Sequence, residues 1–91
     1  MVFAIIYKIA TSKKDYSSLY EKIKTLGTWM HYFEDTWFIV PSSINTPSEI
    51  YDKLIPFING DEDYLFVIKV TGDYRGWLPP KAWDWLKERT F

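Results

Sequence analysis

The sequence predicts an α+β sandwich: a four-stranded antiparallel sheet with two long helices on one face and a short C-terminal helix, the ferredoxin-like βαββαβ arrangement. Three observations carry that expectation. Strand-like apolar stretches and stretches of helical spacing follow one another as strand–helix–strand–strand–helix–strand. Right-handed crossovers leave few ways to join those elements into one sheet. A length of 91 residues holds one small domain over 1–91, with no internal linker, low-complexity segment or tandem repeat.

Each element has its own signature. Val2 to Ile9 is rich in β-branched and aromatic residues and reads as a buried strand. Ala10 to Lys14 is a polar loop, and Asp15 offers an N-cap carboxylate. Tyr16, Leu19, Tyr20, Ile23 and Leu26 then recur at helical spacing, with Gly27 as the stop. Thr28–Phe33 and Thr36–Val40 flank Glu34-Asp35 as a hairpin whose turn lacks the usual glycine. Thr46-Pro47-Ser48-Glu49 forms a capping box with proline at the first helical position. Ile50, Leu54, Phe57 and Ile58 continue that helix to Asn59-Gly60, and Pro56 is expected to distort its last turn. Tyr64 to Val70 is the fourth strand, Thr71 to Pro79 a loop, and Pro80 to Arg89 a closing helix.

Composition excludes several functions. A formal net charge of -1 argues against a protein built for long duplex DNA. The absence of cysteine removes disulfides, thiolate metal sites and cysteine nucleophiles together and fits a cytoplasmic chain. No apolar run approaches the ~18 residues of a membrane span, and the N-terminus lacks the marks of a signal peptide. Aromatic residues make up 20% of the chain, more than a small core can use, so an aromatic interface or ligand surface is expected.

Strand alternation sorts the side chains of the sheet. Lysine seldom points into a core, so Val2, Ala4, Ile6 and Lys8 are assigned to the open face, together with Leu65, Val67 and Lys69. An apolar centre with a lysine fringe predicts a homodimer paired through that face.

Chemistry-bearing groups are few. Asp61-Glu62-Asp63 reads as a solvated turn, without the further ligands of a calcium loop. His31, the only histidine, reads as a packed or interfacial side chain rather than a zinc ligand or a general base. No serine–histidine–acid signature is present, Gly72 and Gly76 do not fit nucleotide-loop spacing, and no cofactor is expected. Lys8, Lys13 and Lys14 gather around the first strand–helix loop, either as a solvated group or as a phosphate contact. Gly72-Asp73-Tyr74-Arg75-Gly76-Trp77 combines residues that stack on bases and hold phosphate. Its aromatics could equally anchor the last helix with Trp83 or Trp85.

The triplet Tyr7-Lys8-Ile9, the helix start Asp15-Tyr16-Ser17-Ser18-Leu19-Tyr20, and the stretches LGTWMHYFEDTWFIV and YLFVIKVTGDYRGWLPPKAWDWL resemble the small SinR-like proteins. These are grouped with the CRISPR-associated spacer-acquisition nuclease-like superfamily, which includes virulence-associated protein D. The resemblance spans nearly the whole chain. It implies a ferredoxin-like fold, dimerisation, and association with nucleotides or nucleic acid. Nuclease members place a metal-binding aspartate at the end of strand one, where this chain has Lys8. A charged lysine cannot hold the cation that metal-assisted phosphodiester cleavage needs, but it attracts phosphate. The expectation is therefore a non-catalytic homodimer binding a nucleotide or short nucleic acid. Lys8 and Lys69 would supply charge on the sheet face, Lys13, Lys14 and Arg75 at the rim, and Tyr7, Tyr74 and Trp77 would stack. The alternatives are a weak metal-dependent RNase or DNase using Asp15 or Asp73, and a protein-interaction module of antitoxin-like or anti-defence type.

Overall fold

The computed structural model describes residues 1–9, 16–44 and 46–91. Its strands are β1 (Val2–Lys8), β2 (Gly27–Phe33), β3 (Thr36–Pro41) and β4 (Tyr64–Val70). Its α-helices are α1 (Ser17–Thr25), α2 (Pro47–Leu54) and α3 (Pro80–Lys87). The strands form one sheet in the order β2-β3-β1-β4, and every neighbouring pair is antiparallel. This is the ferredoxin-like α+β order that the sequence predicts.

Local chemistry explains the element ends. Thr46 Oγ1 accepts from the Glu49 amide at 3.3 Å, and Pro47 occupies the first turn of α2. Pro56 cannot donate to an α-helical ladder, and the chain tightens there into a 3-10 turn over Ile55–Phe57. The hairpin turn contains no glycine, and its fixing comes from β1. The Tyr7 amide donates to Asp35 O at 3.0 Å, and the Tyr7 hydroxyl donates to Glu34 O at 2.9 Å.

Gly27 serves a purpose other than ending a helix. No glycine among the described residues has a positive φ. A β-carbon at Gly27 would instead run into the Val40 carbonyl oxygen and lie 2.8 Å from Pro41 Cα. The start of β2 thus needs a residue without a side chain to approach β3.

The main core lies between the sheet and the first two helices. Phe3, Ile5 and Tyr7 of β1 and Trp37 and Ile39 of β3 meet Leu19 and Ile23 of α1 and Ile50 and Leu54 of α2. Each helix supplies a pair spaced i,i+4, the interval that keeps two side chains on one face. Leu65 and Val67 of β4 pack against the same core.

That last contact corrects the sequence-based face assignment. Residues directly opposite in an antiparallel pair share a face, and Lys69 pairs with Phe3, which is fully buried beneath the helices. Leu65, Val67 and Lys69 therefore belong to the helix-covered face, with Lys69 exposed near the strand end. The second face carries Ile6 and Lys8 of β1 with Phe66 and Tyr64 of β4 opposite them, and Ala4 with Ile68.

The second face is not fully open. The third helix packs on its β2–β3 half through Ala82 and Leu86, again spaced i,i+4, against Met30 with Phe38 beside them. Ile6, Tyr64, Phe66 and Ile68 stay exposed on the β1–β4 half.

Candidate functional site

To reach β2 from β4, residues 71–79 must carry the chain from one edge of the sheet to the other half. Where they do so, a cavity of about 320 Å³ opens on the second face. Phe33, Phe38 and Val70 come from the sheet, Leu78 from the loop, and Trp83 and Leu86 from α3. The segment Tyr74–Trp77 completes the lining, and Arg75 is its sole charged residue. A volume near the lower end of the usual ligand-pocket range, apolar walls and a single cation suit a small planar molecule with an anionic group.

The loop is held unevenly. Tyr74 stacks on Trp83 at 6.2 Å between ring centres and meets Phe91 at 5.5 Å. This is the anchoring role that the sequence left open for it. Trp77, three residues on, is 98% exposed although it borders the cavity. An indole left in water loses the burial that normally stabilises it, and such a ring is available to a ligand.

The other candidates among the described residues do not converge on this cavity. Tyr7 is 3% exposed and belongs to the core. Its hydroxyl accepts from Trp37 Nε1 at 2.9 Å while donating to Glu34, so its ring cannot stack on a ligand. Burial pushes the Tyr7 phenol well above its ordinary range, against a lowering effect of the Trp37 hydrogen bond. Lys8 is exposed on the second face with its Nζ 5.8 Å from the centre of the Tyr64 ring. Lys8 pairs with Tyr64, whereas Val70 at the cavity pairs with Val2, a separation of about 20 Å along the strands. Lys69 lies on the other face. Lys13 and Lys14 lie outside the described residues, as does Asp15. Asp73 is exposed in the 71–79 loop. Of the six predicted site residues that are described, three come together: Tyr74, Arg75 and Trp77.

Two polar groups behave differently from their sequence reading. Asp63 is 5% exposed and accepts from the Tyr16 hydroxyl at 2.6 Å and the Asn59 amide at 3.0 Å. The acidic run is a solvated turn only at Asp61 and Glu62. The hydrogen bond to Asp63, and next to it burial, pushes the Tyr16 phenol up to about 12. His31 stacks on Trp37 at 3.9 Å and 11°, with Nε2 3.3 Å from Glu34 O. It is a packed histidine. Among the described residues no three His, Cys, Asp or Glu side chains group to hold a metal, and no helix is long and apolar enough to cross a membrane.

Phe33, Phe38, Val70, Leu78 and Leu86 were not site candidates from the sequence. Period-two patterning makes them strand or helix apolar residues, and only the placement of α3 turns them into cavity walls. Comparison with protein-family models, with curated proteins and with solved structures finds no match for this chain.

Proposed function

We propose that this protein is a non-catalytic homodimeric binding protein for a small phosphate-bearing ligand, a nucleotide or short nucleic acid held by its base. The observation that carries this reading is the cavity on the second sheet face, with aromatic walls and Arg75 at its lining. A base enters against Trp83 and beneath Trp77, and the Arg75 guanidinium pairs with phosphate oxygens. One cation and a net charge of -1 favour a short ligand over duplex, whose affinity grows with the number of phosphate contacts. The resemblance to SinR-like proteins of the spacer-acquisition nuclease-like superfamily agrees with a nucleotide ligand. Lys8, at the position where nuclease members carry their metal-binding aspartate, favours binding without cleavage. The exposed apolar side chains of β1 and β4 support the homodimer.

Thermal unfolding with mononucleotides, cyclic nucleotides and short oligonucleotides tests the reading. At about 100 times Kd a ligand stabilises by ~2.7 kcal/mol, a readily measured rise in Tm. Arg75→Ala and Trp77→Ala should each abolish the rise while leaving the unliganded Tm in place. A rise that survives both substitutions, or no rise with any of these compounds, sinks the cavity as a nucleotide site.

A further inference from the structure

The two edges of the sheet are finished differently. β2 begins at Gly27, shifts register between Met30 and Phe33, and has α3 packed against it. Such bulges and covers are how proteins stop an edge from pairing with another chain. β4 has neither. Its seven residues YLFVIKV hold no proline, glycine or acid, and its register with β1 is unbroken from Tyr64 to Val70. Tyr64, Phe66 and Ile68 are 68%, 59% and 45% exposed.

We infer that β4 pairs antiparallel with β4 of a second copy, joining two four-stranded sheets into one of eight strands. This rests on the homodimer in the reading above and specifies its interface. A two-fold axis through Val67 uses the whole strand. Tyr64 then meets Val70, Leu65 meets Lys69, Phe66 meets Ile68, and Val67 meets itself. Each of these pairs keeps its own face of the sheet, so the exposed apolar strip of one copy runs on into the other. The two Lys69 side chains are kept apart, which an axis at Lys69 itself would not do.

A second observation fits the same register. A groove of about 270 Å³ follows the β4 edge on its helix side, lined by Tyr51 and Asp52 of α2 with Leu65 and Val67. The partner's Lys69, opposite Leu65, enters that groove beside Asp52. Opposite charges therefore meet at both ends of the paired strands. Pairing across the faces is less suitable, because α3 stands over half of the second face and leaves a patch only two strands wide. A stable interface needs ~800 Å² from each partner.

The chain has no cysteine, so single thiols report the register directly. Val67→Cys places one thiol beside its symmetry mate, at the ~4.5–5.5 Å Cα spacing that disulfides accept. Mild oxidation should convert most of Val67→Cys to a covalent dimer. An equimolar mixture of Phe66→Cys and Ile68→Cys should give the mixed dimer in preference to either homodimer, and both positions are exposed enough to leave folding intact. Ile6→Cys should stay monomeric on reducing-agent-free gels, and Phe66→Lys should shift light scattering from twice the 10.9 kDa chain mass to one. A dimer that cross-links through Ile6→Cys, without preference for the mixed pair, overturns this interface and keeps the homodimer. A wild-type monomer at 100 µM overturns both, and leaves the ligand test above untouched.

Discussion

The two faces of the sheet contrast in how they are covered. One is sealed by two helices over Phe3, Ile5, Trp37 and Ile39, and its polar atoms are paired inside. The other is covered by one short helix on half its width and exposes the rest, with a cavity where the cover ends. Burial is concentrated on the first face, and the second keeps exposed apolar side chains and a cavity. Adjacent residues of one strand therefore carry different burdens, and this can be measured.

The largest effect is expected at Ile5, which is fully buried beneath the helices. Ile5→Ala should cost ~2–5 kcal/mol through lost transfer energy and the cavity left behind. Its neighbour Ile6 points to the other face and is 39% exposed, and Ile6→Ala in the monomer should cost less than ~1 kcal/mol. Urea titrations of the two variants decide the matter, and equal losses would mean that the faces are not divided as described.

Gly27→Ala should come next. The methyl group collides with backbone at Val40 and Pro41, and backbone cannot turn aside as a flexible side chain would. A loss of ~1–3 kcal/mol is expected from such overpacking, with β2 and β3 pushed apart. Amide exchange should speed up at the Gly27–Pro41 end of the hairpin and remain slow in the β1–β4 pair. A variant as stable as wild type would show that β2 can give way there.

How legible this was depends on the range of the interaction involved. Alternation and capping are local, and they gave all four strands, the capping box at Thr46 and the distortion at Pro56. Lys69 was assigned to the open face by the rule that lysine avoids cores. The rule fails near a strand end, where a side chain on the covered face can still reach water. Tyr7 was given a stacking role although alternation sets it with Phe3 and Ile5, and the partners that fix its hydroxyl, Trp37 and Glu34, lie 30 and 27 residues away. Asp63 looked like its two acidic neighbours, and its partner Tyr16 lies 47 residues away. The cavity was hidden for the same reason: the periodicity of α3 shows that it has a buried stripe, but not which half of the sheet that stripe covers.

The Tyr16–Asp63 bond gives the covered face a pH signature. The folded phenol titrates at about 12 against an ordinary 10.0, so the native state holds this proton more tightly than the unfolded chain. Its contribution is complete below pH 10 and drains away as the pH rises towards 12. Tyr7, raised by burial, acts in the same direction. Tm should therefore fall through this alkaline window. In Tyr16→Phe the fall should be shallower, because one of the two phenols that the folded state holds protonated is gone. An unchanged slope would assign the alkaline loss to groups other than this pair.

The smallest effect on stability is expected at the largest side chain. Trp77 is 98% exposed, so Trp77→Ala should change unfolding free energy by no more than ~0.5 kcal/mol. Trp37, at 2% exposed and hydrogen-bonded to Tyr7, should cost ~3–5 kcal/mol on the same substitution. The comparison uses one residue type on two faces, so intrinsic differences between side chains cancel. It also separates two explanations for an exposed indole. If Trp77 were a hidden structural anchor, Trp77→Ala would lower Tm and loosen Tyr74 from Trp83, visible as faster exchange in α3. If it is held out for a ligand, the unliganded protein should not register its loss, and only the Tm rise with nucleotide should disappear.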